Sequence, residues 1–218
     1  MSEPAYTELS APESRALQLA IQQRAREPVA MARAAEKLRG LQGDKAASRL
    51  VDAARSASTV GKRVLWLQRA ASTWGRAVAE VSACRLGCSH CCHIPVTVSR
   101  TEAELIGRAT GRRLKVPRAL VRASDVEDGA AKQDAERILR EGHEGVPCVF
   151  LANGSCGIYE HRPFACRVLF NLDDDPMLCE VVPGRPAEVP YADATFLRVL
   201  YAISQPNAEL ADLRDFFD

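Results

Sequence analysis

Four cysteines and two histidines fall within ten residues at 84–93, CRLGCSHCCH, and Cys148, Cys156 and Cys166 follow the last of these cysteines after a gap of 55 residues. Thiolate sulfur and imidazole nitrogen are ligands for zinc and iron. Cys84, Cys88, Cys91 and Cys92 spell C-x3-C-x2-C-C. The Cys88/Cys91 step is the knuckle spacing that lets two thiolates reach one ion, and a distant second group can complete four-fold coordination. A metal held this way cross-links separated segments, so its binding free energy becomes folding free energy. A C-x2-C pair alone also occurs in redox dithiols; the second cysteine block is what favours a metal.

Seven cysteines exceed the needs of one tetrahedral ion. Three arrangements stay open: spare cysteines, two metals, or an iron–sulfur cluster, which also takes four thiolates. Vicinal Cys91 and Cys92 point in divergent directions, so one can ligate while the other serves another ion or packs inward. His90, His93, His143 and His161 all lie near cysteines in sequence, with His93 the best placed to ligate, although each alone reads more readily as a surface or supporting residue. Cys179, isolated in DPMLCEVV, reads equally well as a small buried hydrophobe.

Around the last of the seven, in IYEHRPFACR, Pro163 fixes its own backbone angle and holds Arg162 extended, so the chain turns sharply and returns Cys166 toward Cys156. Arg162 and Arg167 flank Cys166. Positive charge there favours thiolate over thiol, which suits a metal and would equally activate a nucleophile. Glu160 reads as an ion-pair partner for either arginine, and Tyr159 as a core residue with a satisfied hydroxyl.

The stretches CRLGCSHCCHIPVTVSRTEAELI and CVFLANGSCGIYEHRPFACR together resemble the YkgJ-type cysteine-cluster family, the CxxCxxCC domain, over about residues 80–170. The second stretch is the more specific, because its cysteines, apolar run, turn and C-x-IYE-x-RP-x-x-CR order all coincide with the family pattern. Three residues separate Cys84 from Cys88, where the commonest form has two. The resemblance implies zinc or iron chelation by Cys84, Cys88, Cys91, Cys92, Cys148, Cys156 and Cys166. Flagellin lysine N-methylases are similar over the same kind of cysteine pattern and are associated with an iron–sulfur cluster. That similarity implies an alternative, an iron–sulfur enzyme or redox protein acting on another protein.

The elements that must position these residues are mainly α-helical, with short irregular or hairpin pieces around the cysteines. Residues 1–80 read as a helical N-terminal region and 81–218 as a cysteine-cluster domain with C-terminal helices. Ser10 and Glu13 form a capping-box pattern before a helix over about 11–25, with Leu17, Ile21 and Ala25 on its face. Pro28 suits the first turn of a second helix carrying Ala34, Leu38 and Leu41, stopped by Gly40 and Gly43. Asp44 caps a third, with Leu50, Val51 and Ala54 inward. The spacing of Leu67, Ala71, Trp74, Val78 and Val81 predicts a helix over about 61–82 that delivers the chain to Cys84.

Beyond HIPVTVS, an extended stretch, Ser99 or Thr101 caps a helix that stops at Gly111. A helix follows at about 129–141 with Ala135, Ile138 and Leu139 on one face. Asn153 and Gly154 mark a tight turn between short strands. Pro190 opens a helix with Phe196, Val199, Leu200 and Ile203 on a face, and Asn207 caps a last one through Leu210, Leu213 and Phe217.

Bulk properties narrow the function classes. With 47% hydrophobic and 26% charged residues, the 218-residue chain has the balance of a folded globular protein. A net charge of +1 supplies no field for non-specific nucleic-acid binding. No apolar run approaches the roughly 20 residues that cross a bilayer, and the N-terminus lacks signal-peptide features, so a cytoplasmic protein without a membrane partner is expected. In that reducing compartment, clustered cysteines serve a metal more readily than disulfides. There is no P-loop, dinucleotide fingerprint, G-x-S-x-G or H-E-x-x-H, so no nucleotide cofactor or catalytic residue is assigned. The Ala-rich lead-in carries no chemical motif. It reads as a scaffold or as an arm recruiting another protein, with the cysteine domain then only a metal-stapled platform.

Overall fold

A computed structural model describes residues 10–41, 45–85, 87–127 and 131–218. Among the described residues the fold is mainly helical, with two small antiparallel sheets. No helix among them is long and apolar enough to cross a membrane.

Helix α1, Ala11–Arg39, starts at the capping box: the Glu13 carboxylate accepts from the Ser10 backbone N–H at 2.8 Å and from its hydroxyl at 2.6 Å. The helix does not stop before Pro28; it runs through it. An interior proline forfeits a backbone bond and costs about 3 kcal/mol, and tertiary anchors on both sides of Pro28 offset that loss. Gln23 Nε2 donates to the Met177 and Glu180 carbonyls, both at 2.9 Å, and Glu27 Oε1 accepts from Glu188 N–H at 2.9 Å. Arg26 grips the fully buried Asp173 carboxylate through Nε at 3.0 Å and Nη2 at 2.9 Å. Lys37 Nζ donates to the Leu172 and Asp173 carbonyls. The buried face is therefore Gln23, Glu27, Ala30 and Ala34. The expected apolar face turns outward at Ile21, 62% exposed, and Leu38 is exposed as well. Gly40 ends the helix, whereas Gly43 and the proposed cap Asp44 lie outside the described residues.

Helix α2, Lys45–Arg55, packs along α3, Val60–Val81. Thr59 caps α3 by accepting from Lys62 N–H at 3.3 Å. Val64, Leu67, Ala70, Ala71 and Val78 are buried on the face that periodicity picks out. Strand β1, Thr97–Ser99, leads into α4, Arg100–Thr110, where Ser99 Oγ is the cap and Gly111 closes the helix at φ +70°. Strand β2, Val121–Arg122, and α5, Ala123–Glu127, precede α6, Lys132–Arg140, which buries Ala135 and Leu139. Strands β3, Leu151–Ala152, and β4, Ser155–Cys156, form a hairpin. Its turn has Asn153 at φ +50° and Gly154 at φ +72°, the left-handed pair a two-residue turn requires.

Helix α7, Phe164–Arg167, is one turn long. Helix α8, Thr195–Ile203, begins after rather than at Pro190, whose carbonyl accepts from Leu172 N–H in an extended pairing. Leu197 is its buried residue, with Leu200 and Tyr201 packed beside it. Phe196, Val199 and Ile203 are exposed, so the expected inward stripe is rotated outward. The last expected helix is replaced by strand β5, Glu209–Asp212, followed by α9, Leu213–Phe216. Strand β5 lies between β1 and β2, pairing Val98 with Ala211 and Val121 with Leu210. Partners over 80 residues away decide its conformation, which local periodicity does not register.

Candidate metal centre

Helix α3 delivers the first cysteine block through a fixed exit. Ser82 Oγ accepts from Cys84 N–H at 3.2 Å, and Ala83 N–H donates to the Asn171 carbonyl at 2.8 Å. Gly87, at φ +86°, takes the left-handed conformation that turns the chain within the longer C-x3-C spacing, and Cys88 N–H closes onto the Arg85 carbonyl at 3.0 Å. Residues His90–His93 form a single 3-10 turn, with Cys92 N–H bonded to the Ser89 carbonyl at 2.9 Å.

The far end of the block is tied to the second one. Cys148 N–H donates to the Cys92 carbonyl at 2.7 Å and Gly145 N–H to the His93 carbonyl at 2.8 Å. Arg214, from α9, clamps the junction. Its Nη2 donates to the carbonyls of Cys92 at 3.0 Å, Ile94 at 3.1 Å and Val146 at 2.8 Å, while Nη1 pairs with the buried Asp212 carboxylate at 3.0 Å. No sequence motif pointed to Arg214; its role exists only once β5 and α9 are placed.

In the second block, the β3–β4 hairpin sets Cys156 opposite Leu151. The IYEHRP turn then follows, with Arg162 extended at φ −56°, ψ 148° and Pro163 at φ −56°. Phe164 N–H, opening α7, donates to the Glu102 carboxylate at 2.6 Å, and Gln68 Nε2 donates to the same oxygen at 2.7 Å. Glu102 thereby joins α3, α4 and α7 beneath Cys166. Its burial raises its pKa, and these two donors oppose the rise. Arg167 is held by the Arg162 and Glu160 carbonyls and by Ser72 Oγ, so the expected Glu160 side-chain ion pair is not what fixes it. Tyr159 is 53% exposed rather than core, with the Arg162 guanidinium 4.2 Å from its ring centroid.

These elements bring Cys88, Cys91, Cys92, Cys148, Cys156 and Cys166 around one cavity of about 140 Å³. Cys84 stands apart from it, packed with Val78, Phe170 and Leu172. Cys179 is also outside, its sulfur accepting from Asn171 Nδ2 at 3.4 Å. None of the four histidines lines the cavity. His93 Nδ1 contacts the Ser89 carbonyl at 3.1 Å, and buried His143 pairs with Asp215 at 3.0 Å. All eight cysteines are free thiols, and among the described residues no three side chains of ligand type converge on one point.

The electrostatics are uneven around the ring. A hydrogen bond from Cys92 lowers Cys91 to about 7, with the Arg162 charge assisting, and Cys92 is raised by the same bond and by burial. Burial raises Cys84, Cys148 and Cys166, the last well above the ordinary thiol range. Arg162 Nε is buried with no hydrogen-bond partner among the described residues. Six soft donors and a positive group with an unmatched N–H suit a thiolate-ligated cation, whose complex carries net negative charge. A thiol that ligates must lose its proton, so metal binding at this cavity releases protons.

Residues 83–182 match the model of the CxxCxxCC family, described as "Putative zinc- or iron-chelating domain". The matched segment contains all eight cysteines. No curated protein and no solved structure matches the chain.

Proposed function

We propose that this protein chelates zinc or iron through thiolates of Cys84, Cys88, Cys91, Cys92, Cys148, Cys156 and Cys166. The observation that carries the reading is the cavity between the two sequence blocks, which six of these seven cysteines line. A bound ion would add a cross-link between segments already joined by backbone bonds, the Arg214 clamp and the shared core around Val96 and Phe150. Cys91, pushed down to about 7 by the Cys92 hydrogen bond with the Arg162 charge assisting, is the natural first ligand. The chain's own contribution is to hold the remaining thiols within reach and to set Arg162 beside the charge they develop.

A second reading, an iron–sulfur cluster, is favoured by cavity size. The cavity of about 140 Å³ exceeds the roughly 30 Å³ share of a single water several-fold, and one bare ion does not fill it. The unmatched Arg162 Nε would serve a cluster sulfide as well as a thiolate. Metal and acid-labile sulfide analysis of the anaerobically purified protein separates the readings. Colourless protein with stoichiometric zinc supports an ion; brown protein with iron and sulfide supports a cluster. Protein that holds no metal and keeps its fold when every thiol is alkylated would refute both.

A further inference from the structure

Two cysteines stay outside the cavity, and both lie on the same side of the first block. Ala83, next to Cys84, is bonded to the Asn171 carbonyl at 2.8 Å, and the Asn171 side chain donates to the Cys179 sulfur at 3.4 Å. Asn171 is itself 1% exposed and held by an antiparallel bridge to Tyr191. One rigid residue therefore places Cys84 and Cys179 near each other. The donor it aims at sulfur is of the kind that supports a thiolate ligand.

At the other end of the block, Cys92 is bonded through its carbonyl to Cys148, at 2.7 Å. Cys148, Cys156 and Cys166 all pack on the same core cluster around Val96, Phe150, Ile158 and Leu213. Between the two ends lies the 3-10 turn of residues 90–93. With 3.0 residues per turn, consecutive side chains leave such a turn roughly 120° apart, so Cys91 and Cys92 start in different directions even though their thiols meet in one hydrogen bond. Cys91 remains in knuckle register with Cys88, and the turn at Gly87 brings Cys88 N–H onto the Arg85 carbonyl, one residue after Cys84.

We infer that the eight cysteines form two four-thiolate metal sites that divide at the Cys91–Cys92 step: Cys84, Cys88, Cys91 and Cys179 in one, Cys92, Cys148, Cys156 and Cys166 in the other. The inference rests on the thiolate chelation proposed above and adds to it the ligand Cys179 and a second ion.

The test is zinc stoichiometry of the full chain, purified anaerobically, stripped, and reloaded with Zn²⁺ alone, read as the mass of the folded protein by native mass spectrometry. Two zinc ions are expected for the wild type. Cys84→Ser, Cys179→Ser and Cys91→Ser should each retain one, and so should Cys92→Ser, Cys156→Ser and Cys166→Ser. Cys179→Ser combined with Cys156→Ser should retain none, and Cys179→Ser combined with Cys84→Ser should still retain one. Saturation of the wild type at one zinc, or two zincs kept by Cys179→Ser, would overturn the two-site assignment while leaving chelation standing. No zinc on the wild type would instead overturn chelation itself. The wild-type stoichiometry decides even if a variant does not fold.

Discussion

Arg214→Met should cost the fold about 3–5 kcal/mol, the range for removing one partner of a buried ion pair. The Arg214 side chain is 5% exposed and that of Asp212 is fully buried, so solvent screens neither. Beyond Asp212, the guanidinium serves the carbonyls of Cys92, Ile94, Val146 and Pro147. Charge-assisted bonds each contribute about 1.5–3 kcal/mol, and their plain sum would overshoot. Asp212 keeps two donors, Val96 N–H at 2.6 Å and Arg214 N–H at 2.8 Å, and methionine retains most of the apolar stem contacts. Urea unfolding of matched samples reads the loss. With a slope of about 1–3 kcal/mol per molar, the midpoint should fall by at least about 1 M. Asp212→Asn should cost less in the Arg214→Met background than in the wild type, with a coupling of about 0.5–3 kcal/mol. A loss below about 1 kcal/mol, the range of an exposed ion pair, would refute the account of Arg214 as the clamp between the cysteine blocks.

Asp173→Ala leaves Arg26 without its buried partner and should loosen α1 from residues 171–188. Hydrogen exchange of α1 amides should accelerate more than that of α4, and equal acceleration would contradict the anchoring described. Gly75→Ala puts a Cβ 2.8 Å from two Phe170 ring carbons and 3.3 Å from the Arg167 carbonyl. Overpacking of about 1–3 kcal/mol should outweigh the roughly 1 kcal/mol that alanine gains in helix propensity, and a raised melting temperature would speak against that contact. Metal affinity should rise with pH. Burial holds Cys84, Cys148 and Cys166 above the ordinary thiol range, so these thiols are protonated near neutrality and each must release its proton on ligation. The logarithm of the affinity should climb by more than one per pH unit, up to about four for a four-thiol ion, in competition with a chromophoric chelator; a flat profile would contradict thiol ligation.

Features with local causes were legible in the sequence. The caps at Ser10 and Ser99, the stop at Gly111, the apolar stripe of α3 and the Asn153–Gly154 turn all depend on residues within one or two turns of chain. The two cysteine blocks were legible for the same reason. What escaped depends on distant partners. Helix α1 survives Pro28 because polar side chains on it bind backbone carbonyls, a carboxylate and a backbone N–H about 150 residues away, and a polar buried face leaves no hydrophobic period to detect. Strand β5 exists because β1 and β2 flank it. Arg214 and Glu102, which hold the two blocks in place, look in sequence like ordinary surface charges, and only their burial reveals their work. The separation of Cys84 and Cys179 from the cavity likewise required the position of Asn171.

Thiolate chelation, the central claim, is tested most directly by X-ray absorption at the metal edge of anaerobically loaded protein. A nearest shell made of sulfur alone at about 2.3 Å is predicted. A shell dominated by nitrogen or oxygen at about 2.0–2.2 Å would contradict it.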